Sequence, residues 1–213
     1  SSIKVASIFS HLAASEDLNE KEFSENQVGI FKEIIREFKS KLAYKPIIHL
    51  VNTSGILNYP AAHFDMVRMG ISLYGFANDE KFTKKLKNVA SLKSIISQIH
   101  TISKGQSVGY NRAFKANKTI KTATIPIGHA DGIHRAFGNG GGFVIINGIK
   151  APIVGNVCMD MFMVNVENID CVEGDEAIIF DNQETINELS LKIDSIPYEI
   201  LTAISQRVKR VVK

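Results

Sequence analysis

One arginine lies in an apolar segment where its charge needs an explanation. The segment reads FDMVRMGISLYG over residues 64–75 and places Arg68 two positions before Gly70. Removing water from a guanidinium is costly, so Arg68 either extends its head to solvent or meets a partner. In the second case Arg68 would face a ligand, and Gly70 would let backbone N–H groups approach an anion. The spacing alone favours solvent, so the rest of the chain must decide.

A second group of polar residues follows an apolar run in TIPIGHADGIHR, residues 124–135. Polar groups at the end of a strand often line a cleft. His129, Asp131 and His134 are all able to bind a metal ion, but no further histidine or cysteine cluster completes a site with recognisable spacing. The sequence therefore predicts polar side chains at a cleft and no metal centre.

Three further side chains have chemical potential. Tyr110 follows a glycine in the polar loop SVGYNRAF, where a packed loop tyrosine is the simpler interpretation. Cys158 interrupts a long apolar run and would need a neighbouring base to act as a nucleophile, so a buried structural thiol is favoured. Asp160 lies in the same run; if it is buried it needs partners, and Arg135 or backbone amides are the candidates.

The elements that must position these residues change in character along the chain. In the first part, a buried strand is predicted within residues 3–12, followed by a helix with Ser15 as its N-cap. A second buried strand is predicted in PIIHLVNTSG and a third around residues 65–74. Strand, helix and strand with nearly continuous apolar strands is typical of parallel α/β structure.

The pattern of apolar and polar residues changes after the charged stretch at residues 78–88. Short apolar runs separated by Gly, Asn and Asp predict antiparallel β-structure, and Asn147-Gly148 is a strong hairpin signal. TINELSLKI predicts a short helix, and YEILTAISQRVKRVVK predicts either another helix or a closing strand. The fold class is therefore α/β followed by mainly β.

Composition narrows the class of protein. The 213 residues are 45% hydrophobic and 22% charged, as in a globular protein with a sizeable core. A net charge of +3 is too small and dispersed to indicate nucleic-acid binding. Two cysteines without zinc or disulfide spacing fit a reducing cytoplasm, and no run approaches membrane-spanning length. Because no initiator methionine precedes the first apolar run, we expect the chain to begin in mid-domain.

Seven motifs, in this order, resemble the alanine racemase family, whose enzymes depend on pyridoxal phosphate: SHLAASED, NTSG, FDMVRMGISLYG, SVGY, TIPIGHADG, PIVGNVCMDM and YEILTAISQRVKR. The resemblance covers essentially the whole chain. It implies the C-terminal strands and helices of a partial (β/α)8 barrel over residues 1–80 and an antiparallel β-rich domain over 81–213. It also implies a homodimer in which the β domain of one subunit completes the active site of the other.

The resemblance also implies roles for individual residues. Arg68 would face the pyridine nitrogen of the cofactor, and Tyr110 would be one of two catalytic bases, acting on the partner subunit's substrate. Met159 would bind the substrate carboxylate through its backbone N–H. The cofactor phosphate would be bound by Thr53, Gly70, Ile71 and Tyr198, the ring side would be lined by His11 and Asn52, and the entrance would be shaped by His129, Arg135 and Asp160.

The arginine thereby has a chemical explanation. A carboxylate partner would keep the ring nitrogen protonated, whereas an arginine only donates a hydrogen bond and leaves a weaker electron sink. A weaker sink favours return of the proton to the substrate over transfer of its amino group. On this interpretation Arg68 is functional.

The sequence also departs from the family. The lysine that bonds the cofactor lies in a KANAYGHG-like motif, which is absent here, so this chain alone is predicted to be inactive. His129 stands where the family usually has Tyr, Asn156 where Arg is common, and Thr53 where Ser is usual. Three hypotheses stay open: part of an alanine racemase that supplies D-alanine for peptidoglycan, a non-catalytic binding or dimerisation module, and a racemase for another small amino acid.

Overall fold

The computed structural model describes residues 3–212, and the chain divides into two compact units between Val89 and Ala90. The first unit has parallel strands joined by a helix. Strands β1 (Ser7–Phe9) and β2 (Ile47–His49) pair in parallel, and helix α1 (Lys21–Lys41) connects them. The parallel α/β class predicted for this part of the chain is confirmed.

One face of α1 forms the core of the first unit. Val28, Phe31 and Ile35 recur at helical spacing and are buried in one cluster with Ile48 and Leu50. Burying each such side chain contributes about 1.5–3 kcal/mol. The unit also contains helices α2 (Thr53–Asn58) and α3 (Glu80–Thr83). This packing fixes the strand ends from which the candidate site is built.

The predicted N-cap at Ser15 is wrong. Asp17 accepts a hydrogen bond from Asn19 N–H and caps a 3-10 turn, after which α1 begins at Lys21. Ser15 is fully buried, and its hydroxyl donates to Oδ1 of Asn52 at 2.9 Å. A serine near a helix start satisfies the N-cap pattern in sequence, but this one forms a long-range contact instead.

The first and third predicted strands are shorter than expected. Within residues 3–12 only Ser7–Phe9 forms a strand, and it is not buried as predicted, since Ser7 and Phe9 are exposed. The third strand, predicted around residues 65–74, is reduced to an isolated parallel bridge between His49 and Met66. The carboxylate of Asp65 accepts from Ile48 N–H at 2.9 Å and so takes a position that a strand carbonyl would occupy. A 3-10 turn over Ile71–Tyr74 follows the bridge.

The second unit is built on a seven-stranded sheet. Its strands and those of a small separate pair are β3 (Leu92–Ile95), β4 (Gln98–Ile102), β5 (Ser107–Val108), β6 (Phe114–Lys115), β7 (Ile120–Ile125), β8 (Phe143–Ile146), β9 (Ile149–Val154), β10 (Phe162–Asn165) and β11 (Glu176–Phe180). All neighbouring strands of the sheet pair antiparallel, in the order β3-β11-β8-β9-β10-β7-β4, which confirms the mainly β prediction. The separate pair, β5 and β6, forms a small hairpin.

Local signals predicted two elements of this unit well. Asn147 and Gly148 join β8 and β9 with φ values of 50° and 80°, which confirms the hairpin. Helix α4 (Gln183–Lys192) confirms the predicted short helix. The last segment forms the short helix α5 (Pro197–Thr202), which confirms the helix alternative, and residues 203–212 are irregular rather than a closing strand. No helix within residues 3–212 has the length and apolar character needed to cross a membrane.

Candidate active site

The guanidinium of Arg68 is held at the carboxyl ends of β1 and β2. Its Nη1 lies 2.9 Å from Nδ1 of His49, and its Nη2 lies 3.0 Å from Nδ1 of His11. Nη2 also donates to the carbonyl oxygens of Ser10 at 3.2 Å and Leu50 at 3.0 Å. Four acceptors from two strand ends therefore fix this half-buried cation, and the solvent-directed alternative does not hold. Ligands of parallel α/β folds bind at this end of the strands.

The same contacts determine where the two histidines carry their protons. A guanidinium has only donors, so Nδ1 of each imidazole accepts and each ring proton lies on Nε2. His49 is 7% exposed, and its ring stacks on Phe9 with centroids 5.1 Å apart. Burial, and then the charge of Arg68, lower the pKa of His49 below its usual 6.5. His49 is thus kept neutral, in the form that accepts a hydrogen bond from Arg68.

Acidification is expected to destabilise the protein through His49. Because the folded-state pKa lies below 6.5, the unfolded chain binds the additional proton, and stability that is complete above pH 6.5 is lost as the pH falls below it. Urea unfolding at several pH values between 7.5 and 5 measures this fall in the free energy of unfolding. In His49→Gln the amide oxygen can still accept from Arg68 but does not titrate, so the dependence should be weaker. An equal dependence in both proteins would contradict the assignment.

A second set of donors lies two residues beyond Arg68. The N–H of Gly70 donates to Oγ1 of Thr53 at 3.0 Å, and that hydroxyl lies 3.2 Å from Oγ of Ser72. The 3-10 turn starts at Ile71, and its first N–H groups have no acceptor within the turn. Hydroxyls and backbone N–H groups gathered in this way suit an oxyanion such as a phosphate.

Asn52 holds the backbone that carries Thr53. Its Oδ1 accepts from Gly55 N–H at 3.0 Å, which makes Asn52 the N-cap of α2. A Cβ added at Gly55 would lie 2.7 Å from Cβ of Val51, so glycine is needed for this close approach. The structure therefore places Asn52 beside the donor set, and its predicted contact with a ring stays a prediction.

Tyr110 extends from an anchored loop of the second unit. The residue is 74% exposed, whereas its carbonyl accepts from Nδ2 of Asn156 at 3.1 Å. Gly109, Asn111 and Arg112 have φ values of 78°, 58° and 50°, which is costly for the two residues that carry a Cβ. A fixed backbone with an exposed phenol can present a proton donor and acceptor to a partner, which the packed-tyrosine interpretation does not explain.

The turn that carries His129 lies against the turn that carries Met159. His129 N–H donates to the carbonyl of Cys158 at 2.9 Å, and Ala130 N–H donates to the carbonyl of Met159 at 3.0 Å. A Cβ at Gly128 would lie 2.4 Å from both carbonyl oxygens, so the two turns approach closely because this residue is glycine. The structure thus brings together two of the predicted substrate-binding residues.

Asp160 is not buried, and within residues 3–212 it pairs with neither of its candidate partners, Arg135 or backbone amides. Asp160 is exposed, and its Oδ1 accepts from Nη2 of Arg207 at 2.7 Å. Nε of Arg207 lies 2.9 Å from Oδ1 of the buried Asp131. Arg135 is exposed and forms no ion pair within residues 3–212. The irregular C-terminal segment brings Arg207 between the two carboxylates, and no local sequence pattern predicts that contact.

Two of the side chains that suggested a metal site, those of Asp131 and His134, accept hydrogen bonds from backbone N–H groups instead. Oδ2 of Asp131 accepts from Gly128 N–H at 2.8 Å, and Nδ1 of His134 accepts from Ala136 N–H at 3.2 Å. Among residues 3–212, no group of three or more His, Cys, Asp or Glu side chains is arranged to hold a metal ion. Asp131 and His134 therefore stabilise the turns in which they lie, each through a hydrogen bond from a backbone N–H group.

Two other candidate residues, Tyr198 and Cys158, are half-buried and take part in local hydrogen bonds. Tyr198 is half-buried in the first turn of α5, and its carbonyl accepts from the hydroxyl of Thr202 at 2.7 Å. Its predicted phosphate contact stays a prediction. Cys158 is half-buried, and its Sγ donates to the carbonyl of Asn156 at 3.7 Å. This partly buried hydrogen bond agrees with the structural interpretation of the thiol.

Sequence reasoning missed His49 and Ser72 in the first unit and Arg207 in the second unit. The first could have been found, because His49 ends a predicted parallel strand just as His11 follows one, and the carboxyl ends of parallel strands share one edge. Ser72 lies two residues after Gly70 in a segment that was predicted to be a strand. Arg207 carried no signal, since its partners lie far away in sequence.

Comparison with protein families gives two adjacent matches. Residues 1–78 match the family described as "Alanine racemase, N-terminal domain", and residues 89–212 match "Alanine racemase, C-terminal domain". "Alanine racemase 2" of Caldanaerobacter subterraneus subsp. tengcongensis is 35% identical over 98% of this chain and 55% of its own length. The alanine racemase of Helicobacter acinonychis is 36% identical over 98% of this chain and 58% of its own length. The chain thus spans little more than half the length of these curated relatives.

Solved structures give the same result. The alanine racemase of Bartonella henselae with covalently bound pyridoxal phosphate matches with a TM-score of 0.83 and 33% identity, over 97% of this chain and 56% of that chain. The alanine racemase of Streptomyces coelicolor A3(2) matches with a TM-score of 0.86 and 27% identity, over 98% of this chain and 56% of that chain. The folds of both units are therefore shared with these enzymes.

Proposed function

The chain belongs to the alanine racemase family, and from this premise we propose that it forms the cofactor- and substrate-binding part of a racemase that interconverts L- and D-alanine with pyridoxal phosphate. The observation that carries the proposal is the anchored guanidinium of Arg68 at the ends of β1 and β2, next to the donors around Thr53. A binding module without chemistry would not need a cation held by four acceptors.

The described residues fit the cofactor by the chemistry of their donors. Thr53 Oγ1 and the N–H groups of Gly70 and Ile71 would hold the phosphate. Within residues 3–212 the side-chain hydrogen bonds of Arg68 use Nη1 and Nη2, so its Nε–H would donate to the ring nitrogen. His11, on Nη2 of Arg68, and Asn52 would lie at the ring side.

When bound, pyridoxal phosphate withdraws electrons from the substrate Cα and makes its proton removable. Arg68 donates a hydrogen bond but cannot give up its own proton at working pH, so it limits this withdrawal. Tyr110 would exchange the Cα proton on one face of the substrate through its hydroxyl. The opposite face needs the family's lysine, whose motif this sequence does not contain.

The second unit would orient the substrate. The backbone N–H of Met159 would donate to the carboxylate of alanine, and the entrance would be shaped by His129, Arg135 and Asp160. Because Tyr110 is exposed on an anchored loop, we propose that it serves the partner subunit's substrate in a homodimer with shared sites. The D-alanine formed would supply peptidoglycan synthesis in the cytoplasm.

A fusion protein tests this function. It joins the part of the Caldanaerobacter racemase that this chain does not match to residues 1–213 of this chain. We expect the fusion protein to racemise alanine, and the 213-residue chain alone to neither racemise alanine nor retain pyridoxal phosphate on a lysine after borohydride treatment. Circular dichroism with coupled enzyme assays measures the turnover, and serine serves as a second substrate.

Two outcomes would contradict the proposal. Stoichiometric borohydride trapping at one lysine of the 213-residue chain would show that the missing motif is not required. A folded fusion protein that binds pyridoxal phosphate but turns over neither alanine nor serine would favour the non-catalytic module. Faster turnover of serine than of alanine would identify a racemase for another small amino acid and would point to His129 at the entrance.

A further inference from the structure

Three segments of the second unit converge on one guanidinium. Nε of Arg207 lies 2.9 Å from Oδ1 of Asp131, and Nη2 of Arg207 donates to Oδ1 of Asp160 at 2.7 Å. The backbone N–H of Ser205 donates to the carbonyl of Asp131 at 3.0 Å. We call Arg207, Asp131 and Asp160 the carboxylate clamp. It joins the turn of His129, the turn of Met159 and the C-terminal segment.

The clamp rests on a buried anchor. The side chain of Asp131 is 10% exposed, and its other oxygen accepts from Gly128 N–H at 2.8 Å, so both of its oxygens are engaged. The side chain of Arg207 is 53% exposed, yet it is fixed at two of its nitrogen atoms. The hydrogen bond to Asp160 is the main cause that raises the pKa of Arg207 above its ordinary, already high value, and the charge of Asp131 is the next cause. One permanent cation therefore faces two carboxylates.

The orientation of one backbone N–H depends on these turns. The N–H of Met159 and the carbonyl of Cys158 belong to the same planar peptide group. That carbonyl accepts from His129 N–H at 2.9 Å, and the next carbonyl accepts from Ala130 N–H at 3.0 Å. Contact between the two turns thus determines the direction in which the Met159 N–H points.

We propose that Arg207 is a positioning residue that orients the Met159 N–H toward the substrate carboxylate, an inference that rests on the proposed function. By holding Asp160 to Asp131, Arg207 keeps the turn of Met159 pressed on the turn of His129. It also neutralises part of the negative charge that two aspartates would otherwise present to an anionic substrate group. Both effects act on substrate binding, and neither touches the groups that move the proton.

Steady-state kinetics of the fusion protein test the functional part. Arg207→Gln should raise the KM for alanine by about tenfold or more, while kcat changes less than threefold, as expected for a hydrogen bond lost from a charged group. Arg207→Lys should recover part of the loss, because an ammonium can neutralise one aspartate but cannot span both. Lys150→Gln, which removes a surface ion pair with Glu188 in the same unit, is the matched control and should leave both constants unchanged.

Amide hydrogen exchange of the 213-residue chain tests the positioning without any need for activity. The N–H groups of His129 and Ala130 should exchange at least about tenfold faster in Arg207→Gln, whereas β7 amides such as that of Ala123 should keep their rates. Unchanged exchange at His129 and Ala130 overturns the inference, as does an unchanged KM in an active fusion protein. If the wild-type fusion protein is inactive while exchange accelerates, the proposed function fails but the positioning of Met159 by Arg207 stands.

Discussion

Tyr110→Phe is expected to lower kcat/KM for alanine racemisation by the fusion protein by roughly 10²–10⁴-fold, the range for loss of a general acid–base. The substitution removes a single hydroxyl from a residue that is 74% exposed and whose backbone carbonyl is anchored by Asn156. Fold and cofactor binding should therefore persist, and the loss should appear in the chemical step. Coupled racemase assays and the absorbance of bound pyridoxal phosphate measure the two properties separately.

A matched tyrosine provides the control. The hydroxyl of Tyr44 accepts from Val5 N–H at 2.8 Å and has no place in the candidate site, so Tyr44→Phe should keep at least half of the activity. A Tyr110→Phe protein with more than a tenth of the wild-type kcat/KM would remove Tyr110 from the catalytic role. Loss of cofactor absorbance in Tyr110→Phe would instead indicate a structural role for this residue.

Arg68→Glu is expected to reduce racemisation by the fusion protein about 10²–10³-fold, the loss typical of removing one positioned donor at a site where charge develops. The variant also leaves the acceptors on His49 and His11 without their donor. A carboxylate at this place favours a protonated ring nitrogen and stronger electron withdrawal, so the fraction of turnovers that transfers the amino group and releases pyruvate should rise. Lactate dehydrogenase measures the pyruvate.

Two comparison variants separate charge from fold. Arg68→Lys keeps the cation, so it should form less pyruvate than Arg68→Glu, although an ammonium cannot meet all four acceptors. Arg36→Glu reverses the charge of an arginine whose side chain is 77% exposed on α1 and should leave the activity unchanged. Equal pyruvate yields from the wild-type protein and from a folded Arg68→Glu protein would contradict the role given to Arg68.

The two variants, each with strongly reduced racemisation, together test whether sites are shared between subunits. When Tyr110→Phe and Arg68→Glu proteins are unfolded and refolded together, half of the dimers contain one subunit of each kind. If Tyr110 acts on the partner subunit's substrate, each mixed dimer has one intact site, and about a quarter of the wild-type activity returns. If Tyr110 acts within its own subunit, the mixture stays inactive.

The sequence determined those features that depend on local chemistry. The Asn147-Gly148 hairpin forms because both residues accept positive φ. The α4 helix and the β character of the second part follow from the spacing of apolar residues. The order of seven motifs was enough to identify the family, because each motif keeps the family's residue types at the same spacing. A lone Arg68 beside Gly70 was ambiguous until it was considered together with the other motifs.

The tertiary structure alone decided which groups meet. Whether Ser15 caps a helix or contacts Asn52 depends on which acceptor the folded chain brings closer. Likewise Asp160 pairs with Arg207 rather than with Arg135, because the C-terminal segment packs against the turns and the Arg135 side chain remains exposed. A side chain's type and its neighbours along the chain are written in the sequence, whereas long-range partners follow from the packing of the whole core. For this reason the chemistry of Arg68 could be proposed from the sequence, but its anchoring by His49 and His11 could not.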